Sequence, residues 1–95
     1  MVAKQFLSKD TKTHFSDELD INDYPIQARR KLAQKQIMDE IYDRTGVAVI
    51  SRGTYVAPNM KPQPGERRLH LVIEGESEMS VRQAKLEITQ VLEEE

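Results

Sequence analysis

Two adjoining periodicities near the carboxyl end restrict the fold more than any other feature of the sequence. Arg68 to Glu74 alternates, with Leu69, Leu71 and Ile73 on one side and Arg68, His70 and Glu74 on the other. That is the period of a strand with one face in a core, and it places His70 on the exposed face. Gly75 breaks the pattern, and Val81, Ala84, Ile88, Val91 and Leu92 then recur at helical spacing. A half-buried strand followed at once by an amphipathic helix requires a layer of helix on sheet. Ser77 is placed to cap this helix, and Glu78 lies in the first turn, where the dipole favours negative charge. Glu93 to Glu95 oppose the dipole at the other end, which predicts fraying there.

The rest of the chain supplies partners for that layer. Glu18 to Asn22 alternates polar and apolar as a second half-buried strand. Asn22 and Asp23 follow as helix caps, with Pro25 in the first turn, where a missing N–H is harmless. Ala28 and Leu32, then Ile37, Met38, Ile41 and Tyr42, fall at helical spacing. The stretch from Ala33 to Gln36 interrupts this stripe, leaving either one long helix or two short ones meeting near residues 32–35. Thr45-Gly46 ends the helical segment, since glycine takes the left-handed closing conformation readily. Val47 to Ile50 is β-branched and apolar, and predicts a well-buried strand continuing to about Val56. Residues 57–66, with Pro58, Pro62, Pro64 and Gly65, form an exposed loop. Residues 1–16 show no sustained period and read as a flexible tail, with Phe15 available to pin it, which leaves 17–95 as the domain. The order is strand, helix, helix, strand, strand, helix: an α+β layer with three strands and all helices on one face.

The chemistry of most enzyme classes is missing. A chain of 95 residues makes one domain, and with no cysteine it has no disulfide, zinc–thiolate site or thiol nucleophile. Its longest apolar run, Val47 to Ile50, excludes a transmembrane helix and a signal-peptide core within this sequence. The sequence contains no Walker lysine loop, GxGxxG, HExxH or GxSxG pattern. His14 and His70 have no partner constellation, and Glu74, Glu76 and Glu78 read as solvated acids spanning a strand end, a turn and a helix start. No catalytic residue, metal site or cofactor is therefore expected.

Charge is unevenly distributed although the total is only −2. Residues 25–70 hold nine Lys/Arg against four acids, a net +5, whereas residues 71–95 hold two against seven, a net −5. Residues 1–24 carry three lysines against five acids, a net −2. One folded domain with this distribution presents either a basic and an acidic surface or two solvated helix faces. The basic concentration is Arg29, Arg30 and Lys31, with Lys35 one turn on and Arg52 leaving the next strand.

The element order and several blocks of sequence together resemble a type I KH domain. Arg44-Thr45-Gly46-Val47-Ala48-Val49 matches the "TG" entry into the second strand, and the proline-rich 57–66 segment matches the variable loop. Leu19-Asp20-Ile21-Asn22-Asp23-Tyr24-Pro25, Ala28-Arg29, Ser51-Arg52-Gly53-Thr54-Tyr55, Lys61-Pro62, Pro64-Gly65-Glu66-Arg67 and Ile73-Glu74-Gly75 are similar to one KH subgroup. That subgroup is the carboxy-terminal KH-like module of the DEAD-box RNA helicase of prespliceosome assembly. The resemblance covers about residues 17–94. It implies a KH-like fold and a nuclear RNA-binding accessory module in pre-mRNA splicing, with the ATPase motor elsewhere. It also implies single-stranded RNA as partner, spliceosomal or helicase-core protein as a further one, and no membrane.

The GXXG turn of such domains falls on Leu32-Ala33-Gln34-Lys35, where both glycines are absent. Glycines there let the backbone approach the phosphates of about four nucleotides. Their loss shifts the expected grip to side chains, with Arg29, Arg30, Lys31, Gln34, Lys35 and Arg52 as the RNA-binding candidates. The alternative is an adaptor that has lost RNA binding. It would dock through the acidic last helix (Glu78, Glu87, Glu93 to Glu95) or through Tyr55, Val56 and Met60 in the exposed loop.

Overall fold

The structure is a computed structural model that describes residues 14–94. Its elements are β1 (Phe15–Asp20), α1 (Ile26–Leu32), α2 (Lys35–Thr45), β2 (Ala48–Arg52), β3 (His70–Gly75) and α3 (Glu78–Glu93). The expected α+β order is present. The three strands form an antiparallel sheet in the order β1-β3-β2, so the last strand is central and the other two are edges. Register pairs Leu19 with Leu71 and Asp17 with Ile73 on one side, and Val49 with Ile73 and Ser51 with Leu71 on the other. Alternation then turns all these residues to the helical layer and leaves Ser16, Glu18, Asp20, Ala48, Ile50, Arg52, His70, Val72 and Glu74 on the outer face.

The core sits where α3 crosses β3 and β1 and meets both shorter helices. Ala28 and Leu32 from α1, Ile41 from α2, Leu71 and Ile73 from β3, and Val81, Ala84, Ile88 and Leu92 from α3 are all buried there, with Ile21 and Val47 at the strand ends. Each fully buried aliphatic side chain contributes about 1.5–3 kcal/mol of transfer free energy. The stripe predicted for α3 is therefore the core stripe, with Val91 half-buried at its margin. The Ser77 hydroxyl accepts from the Ser80 amide at 3.1 Å and caps the helix as expected. At the far end Glu93 accepts from the Tyr24 hydroxyl at 3.2 Å and Glu94 from Lys31 at 2.9 Å, so groups of α1 and its approach meet the carboxylates that oppose the dipole.

Several local expectations are corrected. β1 begins at Phe15, so Phe15 and Ser16 belong to the sheet and not to the tail, and residues 1–13 lie outside the described residues. The 26–45 segment takes the second of the two forms left open for it, two short helices, while Tyr42 of the helical stripe is exposed on α2. The second strand stops at Arg52 and is far less buried than its composition suggests: Ala48, Ile50, Ser51 and Arg52 are exposed and Val49 is half-buried. Gly75 stays in the third strand, opposite Phe15.

Asn22 and Asp23 make no cap for α1; the N-cap is Pro25, without a side-chain hydrogen bond. Asn22 is instead buried and clamps a distant strand of backbone. Its Nδ2 donates to the Val56 carbonyl at 2.9 Å, and its Oδ1 accepts from the Val56 amide at 2.8 Å. His70 is likewise not exposed. It retains 5% of its surface on the outer sheet face, beneath Pro62, Arg67 and Arg68, with Nδ1 2.7 Å from the Arg68 carbonyl.

Candidate nucleic-acid interface

A short helix–helix corner and an edge strand leave an apolar groove between them. Leu32 ends α1 and Lys35 begins α2, so the corner consists of Ala33 and Gln34. Leu32 turns inward and retains 3% exposure, which anchors the corner to the core, while Ala33, Gln34 and Lys35 stay exposed. Across from the corner, β2 contributes Val49 and Ser51, the two residues that its alternation directs to the helical side. Ile21, Leu69 and Leu71 floor the space and Met38 closes it from α2. The groove measures about 310 Å³. Its walls are carbon, its mouth is rimmed by polar groups, and its dimensions suit flat apolar moieties more than ions.

The six sequence candidates are distributed unequally around it. Arg29 lines the groove directly. Its position is fixed, because Nε donates to the Tyr24 carbonyl at 3.1 Å and the guanidinium lies 4.7 Å from the centroid of the Tyr55 ring. Gln34 and Lys35 stand at the corner. Lys35 is held by a 2.7 Å contact to Asp39 one turn along, and that hydrogen bond raises its pKa, so it remains cationic at any physiological pH. Arg30 is exposed at the flank and has no ion-pair partner among the described residues. Lys31 lies about 200° around α1 from Arg29 and reaches Glu94, away from the groove. Arg52 pairs in register with His70 and so lies on the outer sheet face, opposite to Ser51. Of the six, Arg29 alone lines the groove; Gln34 and Lys35 follow its lining residue Ala33 at the corner, and Arg30, Lys31 and Arg52 are not among its lining residues.

Charge patterning in the sequence points to little of this surface. The groove lining of Ile21, Met38, Val49, Ser51, Leu69 and Leu71 carries no charge, and only the alternation of β2 and β3 holds a sign of it. Tyr55 reads in the sequence as loop surface, yet it stacks on Arg29. The segment that carries it is constrained by Gly53, whose φ of 86° is left-handed. A Cβ added there would run into the carbonyl oxygens of Arg67 and Arg68. Beyond it Thr54 donates to the Arg67 carbonyl at 3.0 Å, and Val56 is gripped by Asn22. The Arg-Gly-Thr-Tyr block is therefore a crossing of two backbones that presents one ring.

The basic middle of the chain does not form a separate surface. Arg44 reaches Glu87, Arg67 reaches Glu18, and Arg68 reaches both Asp20 and Asp23, so the central charges neutralise the acidic flanks. Hydrogen bonds from these arginines hold the carboxyls of Glu18, Asp23 and Glu87 below their ordinary values, and the Lys85 ammonium does the same for Asp17. Among the described residues no three His, Cys, Asp or Glu side chains could hold a metal ion, and no helix is long and apolar enough to cross a membrane.

A sheet of this order, a corner at Leu32–Lys35 and a groove against the second strand define a KH fold of type I. The sequence matches the KH-domain family over residues 15–95, and the chain belongs to that family. It is similar to the ATP-dependent RNA helicase ddx46 of Dictyostelium discoideum, with 47% identity over 83 residues that make up 87% of this chain and 7% of the relative. The DEAD-box ATP-dependent RNA helicase 42 of Arabidopsis thaliana is 46% identical over 84% of the chain and 7% of its own length. The probable ATP-dependent RNA helicase DDX46 of Homo sapiens is 41% identical over 85% of the chain and 8% of its own. The chain thus spans less than a tenth of the length of these relatives, and the resemblance to a KH module of a DEAD-box helicase holds.

Proposed function

We propose that this domain is a non-enzymatic, single-stranded-RNA-binding accessory module of a nuclear pre-mRNA splicing helicase, with the corner at residues 32–35 as a degenerate GXXG turn. One observation carries the RNA assignment: Arg29 lines the apolar groove between α1, α2 and β2, and Lys35 stands at the corner next to its lining residue Ala33. Unstacked bases fill such a groove while cationic side chains meet the phosphates that run along its rim. Leu32 belongs to the core and cannot supply the close backbone approach of a glycine, so phosphate contacts fall to Arg30 and Lys35. Binding of this kind is weak, poorly selective and strongly salt-dependent, because phosphate contacts position a strand without reading it. The splicing and nuclear assignments are supported by the likeness of the Ile21-Asn22-Asp23-Tyr24-Pro25, Arg52-Gly53-Thr54-Tyr55 and Pro64-Gly65-Glu66-Arg67 blocks to the prespliceosome helicase module, together with the helicase relatives.

Titration with single-stranded RNA, followed by backbone amide shifts, tests the assignment. Perturbations are expected at residues 28–38 and 47–52. The double variant Arg30→Gln/Lys35→Gln should lower the slope of log affinity against log salt by about 0.7 for each phosphate that is no longer neutralised. Amides that stay silent with RNA, while a spliceosomal or helicase fragment perturbs residues 55–60 or 78–94, would assign the domain as an adaptor instead.

A further inference from the structure

The groove does not end at Arg29. On the other side of that guanidinium lies a second concavity of about 840 Å³, formed by Tyr24, Pro25 and Ile26 on the approach to α1 and by Tyr55 and Pro58 beyond β2. Arg29 lines both spaces, so the two concavities adjoin across its side chain. Tyr55 is 46% exposed there, and Ile26 equally so. An exposed aromatic ring on a loop is ordinarily mobile, but this one is fixed on both sides. Gly53 makes the tight crossing under Arg67 and Arg68, and the buried Asn22 holds the Val56 peptide with two hydrogen bonds. The Arg29 guanidinium backs one face of the ring, itself tied to the Tyr24 carbonyl, which leaves the remaining exposed surface of the ring open to a ligand. Asp23, the acid in this concavity, is paired with Arg68 at 2.6 Å, which offsets part of its charge, the same guanidinium also serving Asp20.

We infer that Tyr55 is the stacking platform of an extra base-binding subsite, so that this domain holds an RNA longer than the groove alone accommodates. The inference rests on the RNA reading of the groove and extends its footprint. A rigid ring backed by a guanidinium offers a π-face that any base can cover, and stacking of this kind needs no matching hydrogen-bond pattern. It supplies affinity by an apolar route at a domain whose corner carries Leu32 and Lys35 where a glycine pair would let the backbone approach phosphates. Pre-organisation of the ring means that little is lost in ordering it when the base arrives.

The test compares four RNA probes of randomised sequence at one fixed salt concentration, read by fluorescence anisotropy. They are tetranucleotides, heptanucleotides, and heptanucleotides with abasic sugars in either the first three or the last three positions. The abasic strands keep every phosphate, so any difference from the intact strand reports bases alone. One of the two abasic strands is expected to bind about 5- to 150-fold more weakly than the intact heptanucleotide, the range set by one stacked base. Tyr55→Ala should reduce that gap to the small statistical gain of extra binding registers, whatever its effect on tetranucleotides through a loosened Arg29, whereas Tyr55→Phe should preserve the gap. Equal binding of intact and abasic heptanucleotides overturns the subsite while leaving the groove reading intact. So does a Tyr55→Ala variant that leaves the gap between intact and abasic heptanucleotides as it was. Failure of every probe to bind removes the RNA reading itself and the subsite with it. The abasic comparison needs no variant, so it decides the matter even if Tyr55→Ala folds poorly.

Discussion

Single residues carry constraints here that their type alone conceals. Asn22 follows a strand and precedes a proline, and so has the sequence signature of a cap. Its side chain instead holds Val56, 34 positions away. Asn22→Ala is expected to cost about 1–3 kcal/mol, because it strips partners from a peptide group that water reaches poorly. Urea melts measure the loss, and faster hydrogen exchange at the Val56 amide would locate it. Gly53→Ala is expected to cost more than the roughly 1–2 kcal/mol imposed by a left-handed conformation alone, since two carbonyls stand where the Cβ would go. An unchanged melting temperature for that variant would contradict the crossing described for this segment. Neither role is visible in the sequence: a side chain that bonds to remote backbone leaves no periodic trace, and a glycine shows its φ only once its neighbours are placed. Arg29 shows the same limit. It reads as part of an exposed basic run, yet it is half-buried and bonded, so its neutralisation would disturb packing as well as charge.

Elements are legible in proportion to the regularity of their burial. α3 lies where its period of 3.6 puts it, whereas β3 keeps the predicted inward pair Leu71 and Ile73 but starts two residues later, at His70, and runs on through Gly75. β2 misleads because a β-branched run looks the same whether both faces or only one are covered. Its length is overstated because Gly53 bends the chain with a left-handed φ of 86° directly after Arg52, and Thr54 beyond it makes an isolated bridge to Arg68. Of the candidate interface, the cationic end is visible in the sequence and the apolar lining is not, since groove residues are shared with the core and carry the same pattern. The corner between α1 and α2 joins the two. Leu32→Ala is expected to destabilise the domain by about 2–5 kcal/mol, the usual result for a large buried aliphatic. Ala33→Gly, on the exposed side of the same corner, should stay within about 1 kcal/mol. Thermal or urea denaturation of the two variants separates these outcomes, and equal effects would place Leu32 outside the core.

Across the whole molecule, ion pairs tie together segments that are distant in sequence, and this makes stability depend on acid. The carboxyls of Asp17, Glu18, Asp23 and Glu87 all titrate lower when folded, below ordinary values of 3.8 for aspartate and 4.5 for glutamate. The unfolded chain therefore binds more protons between each pair of values, so this stabilisation is whole above the ordinary values and is lost as pH falls through the folded ones. Glu87 is the least exposed of the four, held by Arg44 and Gln83 between α2 and α3, and solvent screens it least. Glu87→Gln is accordingly expected to flatten the decline in stability between neutral pH and about pH 3 more than Glu18→Gln does. Urea midpoints taken along that pH range give the comparison, and identical curves for the two variants would contradict it. The segment from Ala57 to Glu66 stands apart from this network in one respect: its neck is shut. Asn22 on Val56 and Thr54 on Arg67 close it at its base, so its two ends remain together whatever lies between them. Lengthening a loop that is already closed adds only about 0.6 kcal/mol of chain entropy per doubling. This stretch is consequently a natural docking port for foreign sequence. A fluorophore tag or a peptide spliced in near Gln63 would ride on the domain while the register of β3 and the placement of Tyr55 stay as they are.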